Sequence, residues 1–179
     1  MERKLILSSP LLEITISRLC QEIIENKIEG IETVIIGLQP RGVFFAKRLK
    51  ETLDKETNEK YSFGKIDASF YRDDIRSKGE IIKPNETEIN FLLENKRVIL
   101  VDDVIATGRM VRAALDAMNS FGRPFKVELC VLIDRIYNRD LPISADYVGK
   151  KVNTLETEKV LVEYKEQGFK EDKIWLITK

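Results

Sequence analysis

Val98-Ile-Leu-Val101-Asp102-Asp103-Val104-Ile105-Ala106-Thr107-Gly108-Arg109-Met110 is the stretch from which the architecture follows. Four apolar residues without polar alternation come after the charged lead-in Glu94-Asn-Lys-Arg97 and predict a strand buried on both faces of a parallel sheet. The strand is expected to end in two adjacent carboxylates. Beyond them Thr107-Gly108 opens a helix expected from about Met110 to Phe121, with Val111, Ala114, Leu115 and Met118 at helical spacing. In a strand, loop and helix unit of this kind, ligands bind outside the carboxyl end of the strand. Backbone N–H groups at the helix start then offer a phosphate site.

The chemistry follows from the residue types. Two ionised carboxylates side by side repel, and desolvation near a buried strand adds to the cost, so a cation or several hydroxyl donors should offset them. A sugar diol with a bound Mg2+ meets that need. Thr107 supplies a hydroxyl, Gly108 lets the backbone approach an anion, and Arg109 adds positive charge, which suits a phosphate monoester. A ribose 5-phosphate satisfies both halves. An isolated Asp-Asp more often just ends a strand in a solvated loop; here the order of apolar run, acid pair, Ala-Thr-Gly and helix outweighs that alternative.

Working outward, the chain has 179 residues, 43% of them hydrophobic, enough for one domain over 1–179 with a full core. The 30 Lys and Arg balance 30 Asp and Glu, so no overall field favours nucleic acid and any RNA site must be a local patch. Histidine is absent, which removes His-based triads and His-ligated metals and leaves carboxylate, phosphate and water ligands, suited to Mg2+. Cys20 in a helical pattern and Cys130 in an apolar strand are expected as buried free thiols in a reducing cytoplasm. The apolar runs are too short to span a membrane, and Leu5-Ile-Leu7 is too short for a signal sequence.

Lys4 to Leu7 predicts a short strand, and Ser8-Ser9-Pro10 the start of a helix running to about Asn26. Thr33-Val-Ile-Ile-Gly37-Leu38 is a second buried strand, followed by Gln39-Pro40-Arg41-Gly42 and a helix through about Leu53. Pro40 and Gly42 flank Arg41 in a constrained turn suited to an anion, although on this stretch alone an ordinary strand-to-helix turn is as good an explanation. Tyr61 to Tyr71 alternates into a third strand. The polar stretch from about Asp73 to Glu86 carries Arg76 and Lys78 and is expected either as a solvated connection or as a cationic loop that closes over a leaving group. Gly122-Arg-Pro124 ends the central helix, and Val127 to Ile133 makes a fifth strand leading to Asp134-Arg135. Short strand candidates follow at Asp146 to Val148, Val160 to Tyr164 and Ile174 to Thr178.

The stretch 98–110 closely resembles the phosphoribosyl pyrophosphate (PRPP) motif of type I phosphoribosyltransferases, matching in type at every position except Met110, where those enzymes usually have Thr or Ser. The resemblance narrows further along the chain. Gly37-Leu-Gln-Pro-Arg41-Gly42, Ala46-Lys-Arg-Leu49, Ile66-Asp67, Tyr71-Arg-Asp-Asp74, Gly122-Arg-Pro124, Asp134-Arg135, Leu141-Pro-Ile143 and Ala145-Asp-Tyr-Val-Gly-Lys150 are similar, in consistent order, to the PyrR family. Its members regulate pyrimidine operons by attenuation and are uracil phosphoribosyltransferases. The resemblance implies an α/β fold with a mainly parallel twisted sheet, flanking helices and a small hood built from both ends of the chain. It also implies a homo-oligomer, a dimer or dimer-based. Asp102 and Asp103 would hold the ribose hydroxyls, and residues 106 to 110, with Val104 and Ile105 before them, the 5-phosphate. Pro40, Arg41 and Gly42 would form the pyrophosphate loop with Mg2+. Arg72 with the loop bearing Arg76 and Lys78 would hold the leaving group. The segment Asp134 to Asp140, including Arg135, would read the uracil edge together with Val160. Mg2+ would be held mainly through PRPP oxygens, with Asp102 and Asp103 as further ligands.

The departures touch the second activity. After Asp134-Arg135 the family typically reads Gly-His-Arg-Glu-Leu-Pro-Ile-Arg, whereas this chain reads Ile136-Tyr-Asn-Arg139-Asp140-Leu-Pro-Ile-Ser144. Attenuator-type RNA binding is therefore expected to be weak or absent, with Arg18, Arg139, Lys150 and Lys151 as the remaining cations, each expected as a solvated surface charge. Enzyme, UMP-responsive RNA-binding regulator and catalytically idle nucleotide sensor stand as alternatives at this point.

Overall fold

The elements of the computed structural model, which describes residues 2–73 and 85–178, run β1 (Glu2–Ser8), α1 (Ser9–Glu25), β2 (Thr33–Leu38), α2 (Gly42–Thr57), β3 (Ser62–Ile66), β4 (Arg97–Ile105), α3 (Arg109–Met118), β5 (Lys126–Ile136), β6 (Tyr147–Asn153), β7 (Glu158–Glu163) and β8 (Lys173–Thr178). The apolar runs of β2, β4 and β5 are buried on both faces and lie side by side in a parallel sheet of order β3-β2-β4-β5-β6. Because side chains alternate across a strand, Ile35, Ile99, Val101, Cys130 and Leu132 pack on one face against α1 and α2. Val34, Ile36, Val98, Leu100, Leu129 and Val131 pack on the other against α3.

β1, β8 and β7, in that order, form a separate antiparallel sheet, so the hood is indeed built from both ends of the chain. It is joined to the body through Arg48 of α2, which reaches Asp172 (2.8 Å) and Glu166. No described helix is long and apolar enough to cross a membrane, and both cysteines are free and buried.

Several boundaries differ from the sequence-based expectation, each because of a neighbour. β4 does not stop at the carboxylates: Val104 and Ile105 continue to pair with Ile133 and Asp134 of β5, so the acid pair lies inside a strand. The strand expected over 61–71 is only Ser62–Ile66, since β2, its partner, ends at Leu38 opposite Ile66; Ser69–Tyr71 is a 3-10 turn. α3 stops at Met118 and a 3-10 turn completes the segment to Phe121. Arg97, expected in a charged lead-in, is the first residue of β4 and only 1% exposed. It bonds Glu128 (2.5 Å), the Tyr147 hydroxyl (2.8 Å) and the Ile23 carbonyl (3.2 Å), and Lys126 also reaches Glu128 (2.7 Å).

Candidate active site

The strand order turns at β2 and β4: β3 lies to one side, β5 and β6 to the other, with α2 and α3 on opposite faces. At such a point the two connections leave in opposite directions and open a crevice at the carboxyl ends of the strands. The sequence puts 39–42 and 106–109 there.

The first loop approaches β4 very closely. A β-carbon on Gly42 would lie 2.8 Å from the Val101 carbonyl oxygen and 2.9 Å from Asp102 Oδ1, so only glycine lets α2 begin beside the acid pair. The Gln39–Pro40 peptide bond is cis. Arg41 points its Nε at Asp103 Oδ2 (3.4 Å) and donates from its guanidinium to the Val162 carbonyl of β7. The pyrophosphate-loop candidate thus joins the acid pair to the hood.

Asp103 is 7% exposed, and its backbone N–H donates to Asp102 Oδ1 (2.9 Å). Burial, and after it the Asp103 charge, pushes the Asp102 carboxyl well above the usual range. Burial also raises Asp103, against the pull of Arg41. The pair therefore holds a proton more readily than free carboxylates do.

The second loop forms a cavity of about 140 Å3, lined by Arg72, Asp102 and the run Val104–Val111. Of the sequence-predicted residues, it thus unites Asp102, Arg72, Val104, Ile105, Ala106, Thr107, Gly108, Arg109 and Met110. Gly108 (φ 87°) caps α3 in the left-handed region, a conformation that glycine adopts without strain. The Thr107 hydroxyl accepts from the Arg109 N–H (3.3 Å). Met110 packs part of its side chain into the α3-side core.

Arg109 behaves differently from expectation. It lines the cavity, but its guanidinium is paired with Asp73 and Asp140, each at 2.9 Å, and Arg112 joins Asp73 at 3.1 Å. The rest of the loop offers the Thr107 hydroxyl beside the cavity.

Past β5, Asp134 is buried and pairs with Arg139 (2.6 Å), which also donates to the Ile143 and Ala106 carbonyls. Arg139 is a staple of this loop and not the solvated cation the sequence suggested. Arg135 donates to the Thr154 hydroxyl (3.0 Å) and the Glu158 carbonyl (2.9 Å), and desolvation lowers its pKa. Val160, two residues along β7 from Glu158, packs against the α1–α2 core. Arg76 and Lys78 lie outside the described residues. The flanks of that segment converge on Asp67, whose carboxylate accepts from the N–H groups of Ser69 (2.8 Å) and Asn85 (2.5 Å).

Sequence reasoning missed Tyr164. It is fully buried, and its hydroxyl is one of three buried side-chain polar atoms without a hydrogen-bond partner among the described residues; Arg41 Nε is another. Only its position at the end of an apolar strand candidate was visible beforehand.

A family model described as a phosphoribosyl transferase domain matches residues 2–167. The hypoxanthine phosphoribosyltransferase of Trypanosoma cruzi aligns with a TM-score of 0.72 over 98% of this chain and 96% of its own, at 17% identity. A hypoxanthine phosphoribosyltransferase from Staphylococcus aureus gives 0.68 over 87% and 79%, at 22% identity. The fold is that of a type I phosphoribosyltransferase. Within that class, the bifunctional protein PyrR of Elusimicrobium minutum is 40% identical over 98% of this chain and 97% of its own length. The bifunctional protein PyrR of Lactococcus lactis subsp. cremoris is 42% identical over 93% and 92%. The chain belongs to the PyrR family.

Proposed function

We propose that the chain transfers ribose 5-phosphate from PRPP to uracil, giving UMP and pyrophosphate. The observation that carries this is the crevice between β2 and β4, where a buried acid pair, a glycine-tight cationic loop and a phosphate-sized cavity face one another. Asp102 and Asp103 bind the ribose diol, whose hydroxyl donors relieve their repulsion. The N–H groups of 106 to 110 and the Thr107 hydroxyl hold the 5-phosphate. Pro40, Arg41 and Gly42 place the pyrophosphate, with Arg72 at the cavity wall on the leaving-group side. Positive charge grows on the ribose as pyrophosphate departs, so fixed negative charge beneath the sugar stabilises the transition state. Absence of histidine is no obstacle to such a reaction. The Asp134 to Asp140 loop, fixed by Arg135 and Arg139, reads the uracil edge, and Val160 closes the hood side.

Mg2+ fits this donor set. No group of three or more acidic or thiol side chains gathers among the described residues, yet Mg2+ commonly takes one or two carboxylates plus phosphate oxygens and water. PRPP oxygens would form most of its shell, with Asp102 and Asp103 available beside them, and when bound it would neutralise pyrophosphate charge. The buried free thiols support a cytoplasmic setting, and Cys20 is pushed to about 12 by burial, which makes it unreactive. Exposed Leu5, Leu11 and Ile14 support a homo-oligomer, a dimer or dimer-based.

Incubation with PRPP, Mg2+ and each of uracil, orotate, hypoxanthine, guanine and adenine tests the reaction. Uracil alone should yield a nucleotide; turnover with a purine only would refute the assignment.

The relatives' bifunctional names raise a regulatory role, and RNA binding we infer to be weak. Arg18 is committed to Glu22 and to the Val148 and Gly149 carbonyls, Arg139 to its own loop, and Lys150 to the Ile6 carbonyl. Each cation withheld from phosphates removes a counterion-release contribution. In a gel shift with a pyrimidine-leader hairpin, weak binding insensitive to UMP is expected. UMP-enhanced, sequence-selective binding at nanomolar protein would restore the regulator.

A further inference from the structure

Three segments of the crevice meet at Arg109. It is the first residue of α3, directly after Gly108, and its side chain leaves the 106–110 loop for two others. Nε donates to Asp140 Oδ2 and Nη1 to Asp73 Oδ2, each at 2.9 Å. Asp140 ends the stretch assigned to the base, and Asp73 follows Arg72, which lines the cavity together with Asp102. One planar guanidinium, its donors fixed in a fork, thus spans two carboxylates from different loops.

The two links differ in what else supports them. Asp140 is held to the phosphate loop by its backbone as well, since its own N–H and that of Leu141 both donate to the Thr107 carbonyl (3.0 and 3.2 Å), and Arg139 donates to the Ala106 carbonyl. On the other side, Asp67 fixes the start of the Ser69–Tyr71 turn by accepting from the Ser69 N–H (2.8 Å) and hydroxyl (2.6 Å). Beyond that turn Asp73 is tied to α3 by Arg109 and, one helical turn on, by Arg112 (3.1 Å). Arg72 is therefore carried between two anchors, Asp67 before it and Asp73 after it. The two arginines face three carboxylates, Asp73, Asp140 and Asp116, so their charge is already matched.

We propose that Arg109 is a positioning residue and not a phosphate ligand: through Asp73 it sets Arg72 at the cavity wall in register with the phosphate loop. This rests on the reading above, in which Arg72 lies on the pyrophosphate side of bound PRPP. The 5-phosphate and the pyrophosphate leave the ribose from different carbons, so the groups that hold them must keep a fixed spacing. The link from Arg109 to Asp73 supplies it.

Calorimetry with ribose 5-phosphate and with PRPP, Mg2+ present in both, tests the idea on wild type, Asp73→Ala, Arg109→Ala and the double variant. Ribose 5-phosphate carries the phosphate without the pyrophosphate, so its affinity should stay unchanged in all three. PRPP binding should weaken about fivefold in Asp73→Ala, the upper end for an exposed ion pair, and less in Arg109→Ala, where Arg112 still reaches Asp73. The double variant should bind PRPP no more weakly than Asp73→Ala, because both changes remove the same link. Melting temperatures should stay with the wild type, since the pairs are exposed. Arg109→Ala weakening both ligands alike, with a loss that adds to that of Asp73→Ala, would make Arg109 a phosphate ligand and overturn the proposal. Wild-type PRPP affinity in Asp73→Ala would overturn it too. A wild type that shows the expected binding pattern yet makes no UMP would support the inference and remove the uracil reading alone; one that binds neither ligand would overturn both.

Discussion

Joint replacement of Asp102 and Asp103 by Asn is expected to lower UMP formation by a factor on the order of 10^4 or more, since each preorganised electrostatic group of this kind contributes roughly 10^2–10^3. In the reaction proposed above the two carboxylates face the sugar on which positive charge develops, and Asn supplies neither the charge nor two acceptors. The fold should survive, because Asn keeps the shape and removes the repulsion of two acids buried side by side in β4. The pH dependence has a definite sign. Both carboxyls have folded-state pKa values raised by burial, so the stability linked to them is fully present below the unfolded carboxylate pKa and is lost as pH rises through the folded values. The melting temperature of the ligand-free wild type should therefore fall over that window more than that of the double variant. Near-normal turnover in the double variant would refute the site.

The second large effect falls on stability. Arg97→Ala leaves Glu128, 5% exposed, without its closest partner, at the base of the sheet. Breaking a buried pair by removing one member costs about 3–5 kcal/mol, and for a chain of this size each kcal/mol lowers the melting temperature by roughly 2–4 °C. Lys126 still reaches Glu128, so the lower end, a drop of about 10 °C, is expected in calorimetric melts. Replacing both partners together, Arg97→Met with Glu128→Leu, should recover most of it, because the uncompensated charge is gone. An Arg97→Ala chain melting with the wild type would show that Lys126 and Tyr147 satisfy Glu128 alone.

These two sites mark what the sequence made legible. The acid pair could be read because its meaning is local: an apolar run, two carboxylates and a glycine turn are contiguous, and β2 repeats the pattern with Arg41. The sheet was readable for the same reason, since β2, β4 and β5 are continuous apolar runs. Arg97 was not, because its partners Glu128 and Tyr147 come from neighbouring strands 31 and 50 residues away and only strand pairing brings them together. The ends of β3 and β4 depend likewise on where a neighbouring strand stops or continues. Arg109 looked like a phosphate ligand from its position, but Asp73 and Asp140 compete for it from distant loops. Tyr164 was visible only as the end of a strand candidate, where an aromatic is ordinarily core.

The small sheet carries a temporal consequence. Its central strand, β8, is last in sequence and lies between β1, the first, and β7. During synthesis the crevice strands emerge and can pair early, whereas β1 waits for its partner β8 until β2 to β7 have all been made. Closing so long a loop is slow, so the roof over the acid pair is set last. A nascent chain thus carries its carboxylates and loops before Arg41 can reach the Val162 carbonyl of β7.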